Sequence, residues 1–156
     1  MTRDEITRYV REHIPLAVHL GAVIERYDGA SLRLAAPLAP SLNHRSTAFG
    51  GSLSAIAILS GWTLVHLNLR ERGVEAGVVI QRSEVSFDEP VAGDFFATST
   101  LPPAAEWERF LETLRRHRRA RVTVRGAVEA GSRRGGTFEN VYVATRDGPP
   151  VDRARR

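Results

Sequence analysis

The stretch NHRSTAFGGSLSAIAILSGW, residues 43–62, joins a polar loop to the start of the longest apolar run in the chain. Two adjacent glycines, Gly50 and Gly51, stand where this run begins. A turn into a helix needs only a capping side chain, such as Ser46 or Thr47, and paired glycines add a backbone entropy cost. We therefore expect another group to come close to the backbone at this point.

The apolar run, residues 51–72, predicts one long helix that is buried on nearly every side. Its apolar side chains fall all around the helical circumference: Leu53, Ala55, Ile56, Ala57, Ile58, Leu59, Trp62, Leu64, Val65, Leu67 and Leu69. Such a helix is wrapped by other structure, since a surface helix keeps a polar face. A membrane span is the weaker interpretation, because the apolar stretch proper, residues 53–69, is shorter than the ~20 residues of a span and polar side chains interrupt it.

The segments on either side of this helix predict strands and two short amphipathic helices. The helices are expected at residues 3–13 and after Pro102-Pro103, and the strands at residues 20–28, 30–38, 77–91, 93–101, 120–131 and 137–146. A sheet covers the whole apolar circumference of one helix only by curving around it. The sequence thus predicts a single α+β domain over residues 1–147 with the hotdog fold, in which about six antiparallel strands wrap one central helix. Residues 148–156 are predicted to form a flexible tail.

The composition narrows the classes of function that are open to the chain. None of the 156 residues is cysteine, which excludes disulfides, thiol nucleophiles and cysteine metal sites. The N-terminal stretch lacks the apolar core of a secretion signal, so we expect a cytoplasmic protein. The five histidines have no metal-ligand spacing, and neither a metal nor another cofactor is expected. The absence of a GxSxG motif disfavours a serine hydrolase of the α/β class.

The motif before the buried helix resembles that of hotdog thioesterases. Their central helix often begins after the pattern Asn-x-x-small-x-x-His-Gly-Gly. Here the corresponding residues are Asn43, Ser46, Phe49, Gly50 and Gly51. Phenylalanine replaces the histidine. The string NxxSTxFGGSLxAxAxLSGW, with WERFL and RARVTV downstream, is similar to a small thioesterase subgroup that is also found as the C-terminal domain of YiiD-type proteins. The similarity extends over roughly residues 10–146.

The resemblance implies hydrolysis of an acyl thioester that is carried by coenzyme A or by an acyl carrier protein. It also implies a homodimer, or a dimer of such dimers, with active sites between the subunits. Backbone N–H groups at a helix start can receive the negative charge that gathers on a thioester oxygen under attack by water. We expect the Gly51 amide to be the main donor to this oxyanion and Ser52 to be a helper, with Gly50 leaving room for the substrate.

The other residues of the motif each have a structural and a functional interpretation. Asn43 either orients the attacking water or holds the loop through an Asx-type turn. Thr47, like Ser46, is expected to cap the helix or to border the substrate. Phe49 either forms the pocket wall near the thioester or packs in the core.

Many hotdog thioesterases carry an aspartate or glutamate about seven residues into this helix, and here that carboxylate is missing. Counting from Gly51 reaches Ile58, and no acid occurs before Glu71. Three residues remain as candidates for the base that activates water: His44, Glu84 and Asp88. His44 is otherwise a loop histidine, and Glu84 is otherwise a surface acid near Arg82.

Alternation along the strand at residues 77–91 divides its side chains between two faces. Val79, Gln81, Ser83, Val85 and Phe87 are predicted to share one face, and Ile80, Arg82, Glu84, Ser86 and Asp88 the other. The first face is expected to point towards the central helix. On this interpretation the polar side chains of Gln81 and Ser83 border the substrate.

The net charge of +4 comes entirely from the last third of the chain. Residues 1–100 carry 9 arginines and 11 acids, whereas residues 101–156 carry 13 arginines and 7 acids. Arg118, within the stretch RRHRRAR, and the pair Arg133 and Arg134 are solvated charges by default. Alternatively they bind coenzyme A phosphates or an acidic carrier protein, since arginine pairs well with phosphate and carboxylate. Neither nucleic acid nor a membrane is an expected partner, because the basic stretch lacks interleaved aromatic residues.

Three functions are consistent with these features. The leading one is an acyl thioester hydrolase. A hotdog dehydratase or isomerase acting on acyl thioesters would need a histidine and a carboxylate in the cleft, which only His44 with a strand acid offers. A non-catalytic module that binds acyl thioesters is suggested by the missing helix carboxylate.

Overall fold

The computed structural model describes residues 1–146, and the tail predicted for residues 148–156 lies outside this range. The helices are α1 (Arg3–His13), α2 (Leu16–His19), α3 (Gly50–Glu71) and α4 (Ala104–His117), with a short 3-10 turn at Ala39–Ser41. The strands are β1 (Val23–Tyr27), β2 (Ser31–Ala36), β3 (Gly77–Phe87), β4 (Phe95–Thr100), β5 (Arg119–Ala130) and β6 (Arg133–Thr145).

The six strands form one antiparallel sheet that curves around α3. Their order is β1-β2-β4-β5-β6-β3, so β1 and β3 are the two edge strands. Every neighbouring pair is antiparallel. This architecture confirms the predicted hotdog fold, with one long central helix and six strands.

The central helix α3 is buried along most of its length, as its apolar circumference predicts. Ile56, Ala57, Leu64 and Val65 are inaccessible to solvent. Among the helices of residues 1–146, only α3 has the length and hydropathy of a bilayer span, and 67% of its most apolar window is buried inside the fold. The sheet and the short helices therefore cover most of the apolar surface of α3.

A tyrosine of β6 fixes the position of α3 on the sheet. The Tyr142 hydroxyl donates to the carbonyl oxygen of Ile58 at 2.6 Å, and it accepts from the side-chain amide of Asn140 at 3.3 Å. Burial raises the pKa of Tyr142, so the hydroxyl keeps its proton at neutral pH. Gly61 leaves the space for this contact, since a Cβ there would overlap the Tyr142 hydroxyl.

Helix α1 packs on α3 through stacked rings. The Tyr9 hydroxyl forms a 2.9 Å hydrogen bond with Nε2 of His66, and the His66 ring lies 4.9 Å from the parallel indole of Trp62. His13 stacks on Tyr9 with ring centroids 4.0 Å apart. Burial, together with the charge of Arg70, lowers the pKa of His66 to about 4, so its imidazole is neutral at pH 7. His66 is thus a hydrogen-bonded packing residue.

Two strands, β1 and β6, begin three or more residues away from their predicted starts. β1 starts at Val23 and not at Leu20, because the chain between Pro15 and Leu20 forms the helical turn α2. Gly21 then reverses the chain with φ +67°, a conformation that glycine adopts without strain. β6 starts at Arg133, four residues before the predicted start, because the turn before it is short.

Because β3 contains a β-bulge, the predicted division of its side chains between two faces is wrong in the first part of the strand. Ile80 is opposite Tyr142 and Arg82 is opposite Val141, so Gln81 is an extra residue with no opposite residue on β6. Residues directly opposite in an antiparallel pair share a face, and Tyr142 contacts α3. Ile80 therefore faces the helix, whereas the prediction placed it on the other side.

Beyond the bulge, the predicted alternation is correct. Ser83 is opposite Asn140, Val85 is opposite Phe138 and Phe87 is opposite Gly136, on the side of the sheet that faces the helix. The predictions for Val79 and Gln81 are wrong: Val79 is 61% exposed, and Gln81 accepts a 2.7 Å hydrogen bond from Arg121 on the outer face. A strand with an inserted residue reverses its side-chain pattern at the insertion, which regular alternation does not anticipate.

Candidate functional site

The loop before α3 is held at both of its ends by backbone hydrogen bonds. The amide of Phe49 donates to the carbonyl of Ser41 at 2.7 Å, and the amide of Ala48 donates to the carbonyl of Val91 at 2.7 Å. Ala48 also forms an isolated β-bridge with Leu42. These bonds join the loop to the segment after β3, so the start of α3 has a fixed position.

The first turn of α3 contains two backbone N–H groups that are available to a ligand. The amides of Ser52 and Leu53 donate to the carbonyl of Phe49 at 2.9 and 3.2 Å. Those of Gly50 and Gly51 have no acceptor among residues 1–146. An anionic oxygen at this place would meet two donors and the positive end of the helix dipole.

This pattern modifies the predicted roles of the two donors. The backbone amide of Ser52 donates within the helix, so it is not available as the predicted second donor. The amide of Gly50 is the second N–H without an acceptor among residues 1–146. The hydroxyl of Ser52 has no hydrogen-bond partner in the part of the chain that the structure describes. Gly51 lies at the predicted place with its N–H free.

The two glycines also allow aromatic rings to approach the helix start. A Cβ on Gly51 would overlap the ring of Phe49, and a Cβ on Gly50 would lie 3.5 Å from the ring of Phe87. Phe49 is 59% exposed and Phe87 is 54% exposed. The two rings therefore flank the free amides at the surface and are not core residues, which agrees with Phe49 as a pocket wall.

Asn43 uses its side chain to hold the loop. Its Oδ1 accepts from the backbone amides of Arg45 and Thr47 at 2.8 and 3.2 Å. Its Nδ2 donates to Oγ1 of Thr47 at 2.9 Å and to the carbonyl of Ala48 at 3.4 Å. Because these bonds occupy both ends of the amide group, the geometry favours the bracing role of Asn43 over the orientation of water.

Neither hydroxyl residue of the loop caps the helix, contrary to the prediction. The N-cap residue is Phe49, and no side chain within residues 1–146 bonds to the free amides there. Thr47 is instead bonded to Asn43. Ser46 occupies the left-handed region with φ 58°, which tightens the loop. An N-terminus without a side-chain cap keeps its donors open.

Of the three candidate bases, two lie at this end of the molecule. His44 is exposed in the loop, and Asp88 follows the last residue of β3 and accepts from Nε of Arg134 at 3.2 Å. Glu84 lies on the outer face of β3 in a 2.9 Å ion pair with Arg82, so the surface interpretation of Glu84 is supported. No group of three or more potential metal-binding side chains occurs in residues 1–146.

Gln81 and Ser83, the two residues of β3 that were predicted to border the substrate, lie on opposite faces of the strand. Ser83 is on the helix-facing side and is open to solvent. Gln81 lies on the outer face beside Arg121 and does not border the helix. Of this pair, only Ser83 is brought towards α3.

The three arginines predicted to dock the substrate carrier are at opposite ends of the molecule. Arg133 and Arg134 form 3.2 Å ion pairs with Glu89 and Asp88 and line a cavity of about 300 Å³. Val91 lines the same cavity, and its carbonyl accepts from the amide of Ala48 in the loop before α3. Arg118 precedes β5, whose 12 residues span roughly 36 Å. One ligand at the helix start therefore does not contact all three.

The structure adds residues that the sequence did not single out. Trp62 donates from its indole nitrogen to the carbonyl of Val78 at 2.9 Å and so joins α3 to β3. Asn140 is completely buried, and its Oδ1 has no hydrogen-bond partner among the described residues. A lone asparagine within the apolar stretch NVYV was the only signal for Asn140, and nothing in the sequence paired Trp62 with Val78.

Solved structures share this architecture. A Chlorobaculum tepidum protein of unknown function is 27% identical, with a TM-score of 0.86 over 93% of this chain and 94% of that one. A thioesterase from Haemophilus influenzae is 14% identical, with a TM-score of 0.75 over 95% of this chain and 94% of that one. A "putative thioesterase" from Shewanella oneidensis is 23% identical, with a TM-score of 0.77 over 91% and 98%.

With the curved sheet around α3, these matches define a protein of the hotdog-fold class. The family is given by the sequence itself, since residues 3–146 match the family described as "Putative thioesterase (yiiD_Cterm)". The chain belongs to this family, and its activity class is that of a thioesterase.

Proposed function

We propose that the protein hydrolyses acyl thioesters of coenzyme A or of an acyl carrier protein at the start of α3. The observation that carries the proposal is the pair of unbonded amides at Gly50 and Gly51, flanked by the exposed rings of Phe49 and Phe87. The amides fit a developing oxyanion, and the rings fit the apolar chain next to it.

The reaction follows from this geometry. Water attacks the thioester carbonyl carbon, and the electron pair of the C=O bond moves to oxygen, where the Gly51 and Gly50 amides stabilise it. When the C=O bond forms again, the C–S bond breaks, and the thiolate leaves and takes up the proton that the water gave up. Of the candidate bases, His44 and Asp88 lie at this end and can accept that proton in between.

Docking of the carrier is proposed at the same end of the molecule. Arg133 and Arg134 stand beside the helix start, and phosphates or carboxylates of the carrier would compete with Glu89 and Asp88 for them. A homodimer in the cytoplasm is part of the proposal, since the partner subunit would cover the rings that stay exposed on one protomer.

A module that binds acyl thioesters without turnover is the second candidate. It is favoured by Ile58, an apolar residue at the place where related thioesterases carry their carboxylate. Release of free thiol from acyl-CoA and acyl-carrier-protein substrates distinguishes the two functions. Tight binding without thiol release would replace the first proposal by the second, and formation of an enoyl product would indicate a dehydratase.

The Gly51→Val variant tests the oxyanion assignment. Its Cβ pushes into the ring of Phe49, so the bulky side chain blocks access to the amide, and we expect kcat to fall roughly 100- to 1,000-fold. Gly77→Val is the matched control, because a Cβ there makes an ordinary 3.7 Å contact with Thr145 at the far end of β3. Thermal unfolding should show both variants folded. Normal turnover by the Gly51 variant would remove the assignment.

A further inference from the structure

One face of α3 stays partly open, although the rest of the helix is buried. Ser54, Ala55, Ile58 and Trp62 are partly exposed, and their spacing places them on a single side of the helix. This open side begins at the free amides of the first turn and ends at Trp62. It is the continuation of the proposed site along the helix axis.

The strand β3 forms the opposite wall. Its helix-facing residues remain accessible, with Ile80 38% exposed and Ser83 and Val85 also in contact with solvent. We name the space between these two rows the α3–β3 furrow, lined by Ser54, Ala55 and Ile58 on α3 and by Ile80, Ser83 and Val85 on β3. Its lining carries no charged side chain, so it suits a hydrocarbon chain.

The furrow is closed at its far end by Trp62. The indole N–H donates across the gap to the carbonyl of Val78 at 2.9 Å, and Val78 is buried. His66 stacks behind the indole at 4.9 Å, with its plane within 4° of parallel, and is itself bonded to Tyr9 at 2.9 Å. A side chain held by a hydrogen bond and a parallel ring does not move aside easily.

The length of the furrow sets the length of the chain that it can hold. Gly51 and Trp62 are eleven residues apart on α3, which corresponds to about 16 Å at 1.5 Å per residue. After about 3.5 Å for contact with the indole, about 12 Å remains. A C–C bond of about 1.5 Å advances an extended chain by roughly 1.25 Å, so about ten carbons fit.

We propose that Trp62 is the specificity-determining end wall of the α3–β3 furrow and limits the substrate to straight acyl chains of about ten carbons. The inference rests on the proposed function, since it assigns the acyl group of the same thioester. Longer chains meet the indole, and shorter ones leave apolar wall unfilled.

The first test compares chain lengths in the full-length protein. Hydrolysis of butanoyl-, octanoyl-, decanoyl- and hexadecanoyl-CoA is measured for the wild type, Trp62→Ala and Trp62→Phe. We expect wild-type kcat/KM to be highest near decanoyl, and Trp62→Ala to raise the hexadecanoyl-to-decanoyl ratio at least tenfold, because the added methylenes become buried. Trp62→Phe keeps a ring at the end wall and should leave the ratio within about twofold. An unchanged ratio in Trp62→Ala would overturn the proposal. A ratio is independent of how much of a variant is folded.

The second test does not depend on turnover. In a Trp107→Phe background, Trp62 is the only tryptophan, since the chain has two. Decanoate brominated at its last carbon should quench this fluorescence, whereas decanoate brominated next to the carboxylate should quench it several-fold less. Equal quenching by the two acids, or quenching by neither, would contradict the end wall at Trp62. If quenching follows the expected order but no thioester is hydrolysed, the proposed function fails while the chain-binding furrow stands.

Discussion

At the scale of single residues, Asn43 holds the loop before the proposed site through hydrogen bonds within the protein. Its amide group holds Arg45, Thr47 and Ala48 in one loop conformation. That loop ends at Phe49, where the free amides begin. The position of the proposed oxyanion donors therefore depends on Asn43, whose side-chain hydrogen bonds are made within the loop.

Asn43→Ala should lower both stability and turnover. We expect a loss of about 2 kcal/mol in the free energy of unfolding, at about 1 kcal/mol for each of the stronger hydrogen bonds, and a roughly tenfold lower kcat with little change in KM. Urea unfolding and steady-state kinetics measure the two effects. Asn43→Asp keeps the Oδ1 acceptor and should lose less of each. A lower kcat with unchanged stability would instead favour direct orientation of water by Asn43.

The residue scale is also where prediction from sequence reaches its limit. Gly51 could be singled out from the sequence, because paired glycines before an apolar run have few structural uses and the motif around them resembles that of hotdog thioesterases. The occupation of the Ser52 amide depends on whether the first turn bonds to Phe49, which residue types do not determine. The ion pairs of Arg133 and Arg134 depend on which strands meet, and the sequence does not show this.

At the scale of elements, the contact between α3 and β6 depends on the small size of Gly61. The Tyr142 hydroxyl reaches the Ile58 carbonyl across the space that a side chain would fill. Replacing glycine by alanine within a helix normally gains up to about 1 kcal/mol. Here that gain competes with overpacking against a buried ring.

Gly61→Ala should therefore destabilise the protein by about 1–3 kcal/mol, because overpacking and the displaced hydrogen bond outweigh the helix propensity. Chemical denaturation followed by circular dichroism measures the change. The double variant Gly61→Ala with Tyr142→Phe should recover part of the loss, since the hydroxyl no longer meets the new Cβ. A stabilised Gly61→Ala protein would show that the sheet moves aside freely.

Most elements were predictable because their patterns are strong. The apolar circumference of α3 requires a covering, and the alternating segments around it provide enough strands. α2 was missed because four residues are too few for a helical period to show. The faces of β3 before the bulge were assigned wrongly for a different reason, since an inserted residue leaves no mark in composition.

At the scale of the whole molecule, one edge of the sheet exposes apolar side chains to solvent. The edge strand β3 carries 11 residues, with Val79 and Phe87 more than half exposed. A long edge strand with exposed apolar side chains is a surface on which another chain can pair. This supports the proposed homodimer, with β3 within its interface.

Val79→Lys should weaken that dimer. A lysine on an edge strand disfavours pairing with a second edge, so we expect the apparent mass in sedimentation to fall from twice that of the chain towards that of one chain. Val18→Lys, at a residue of α2 that is similarly exposed at 55%, is the control and should leave the mass unchanged. A wild-type protein that sediments as a single chain at all concentrations would exclude the dimer.

The unpaired Gln81 affects how the length of β3 can vary. Ile80 and Ser83 both point inward on either side of it, so a chain without this residue would keep every neighbouring side chain on its present face. Removal would straighten the strand and leave Arg121 without its amide partner, yet would bring no charge into the apolar space. When homologous sequences are aligned, a single-position gap is therefore expected here, within a strand, and not only in the turns.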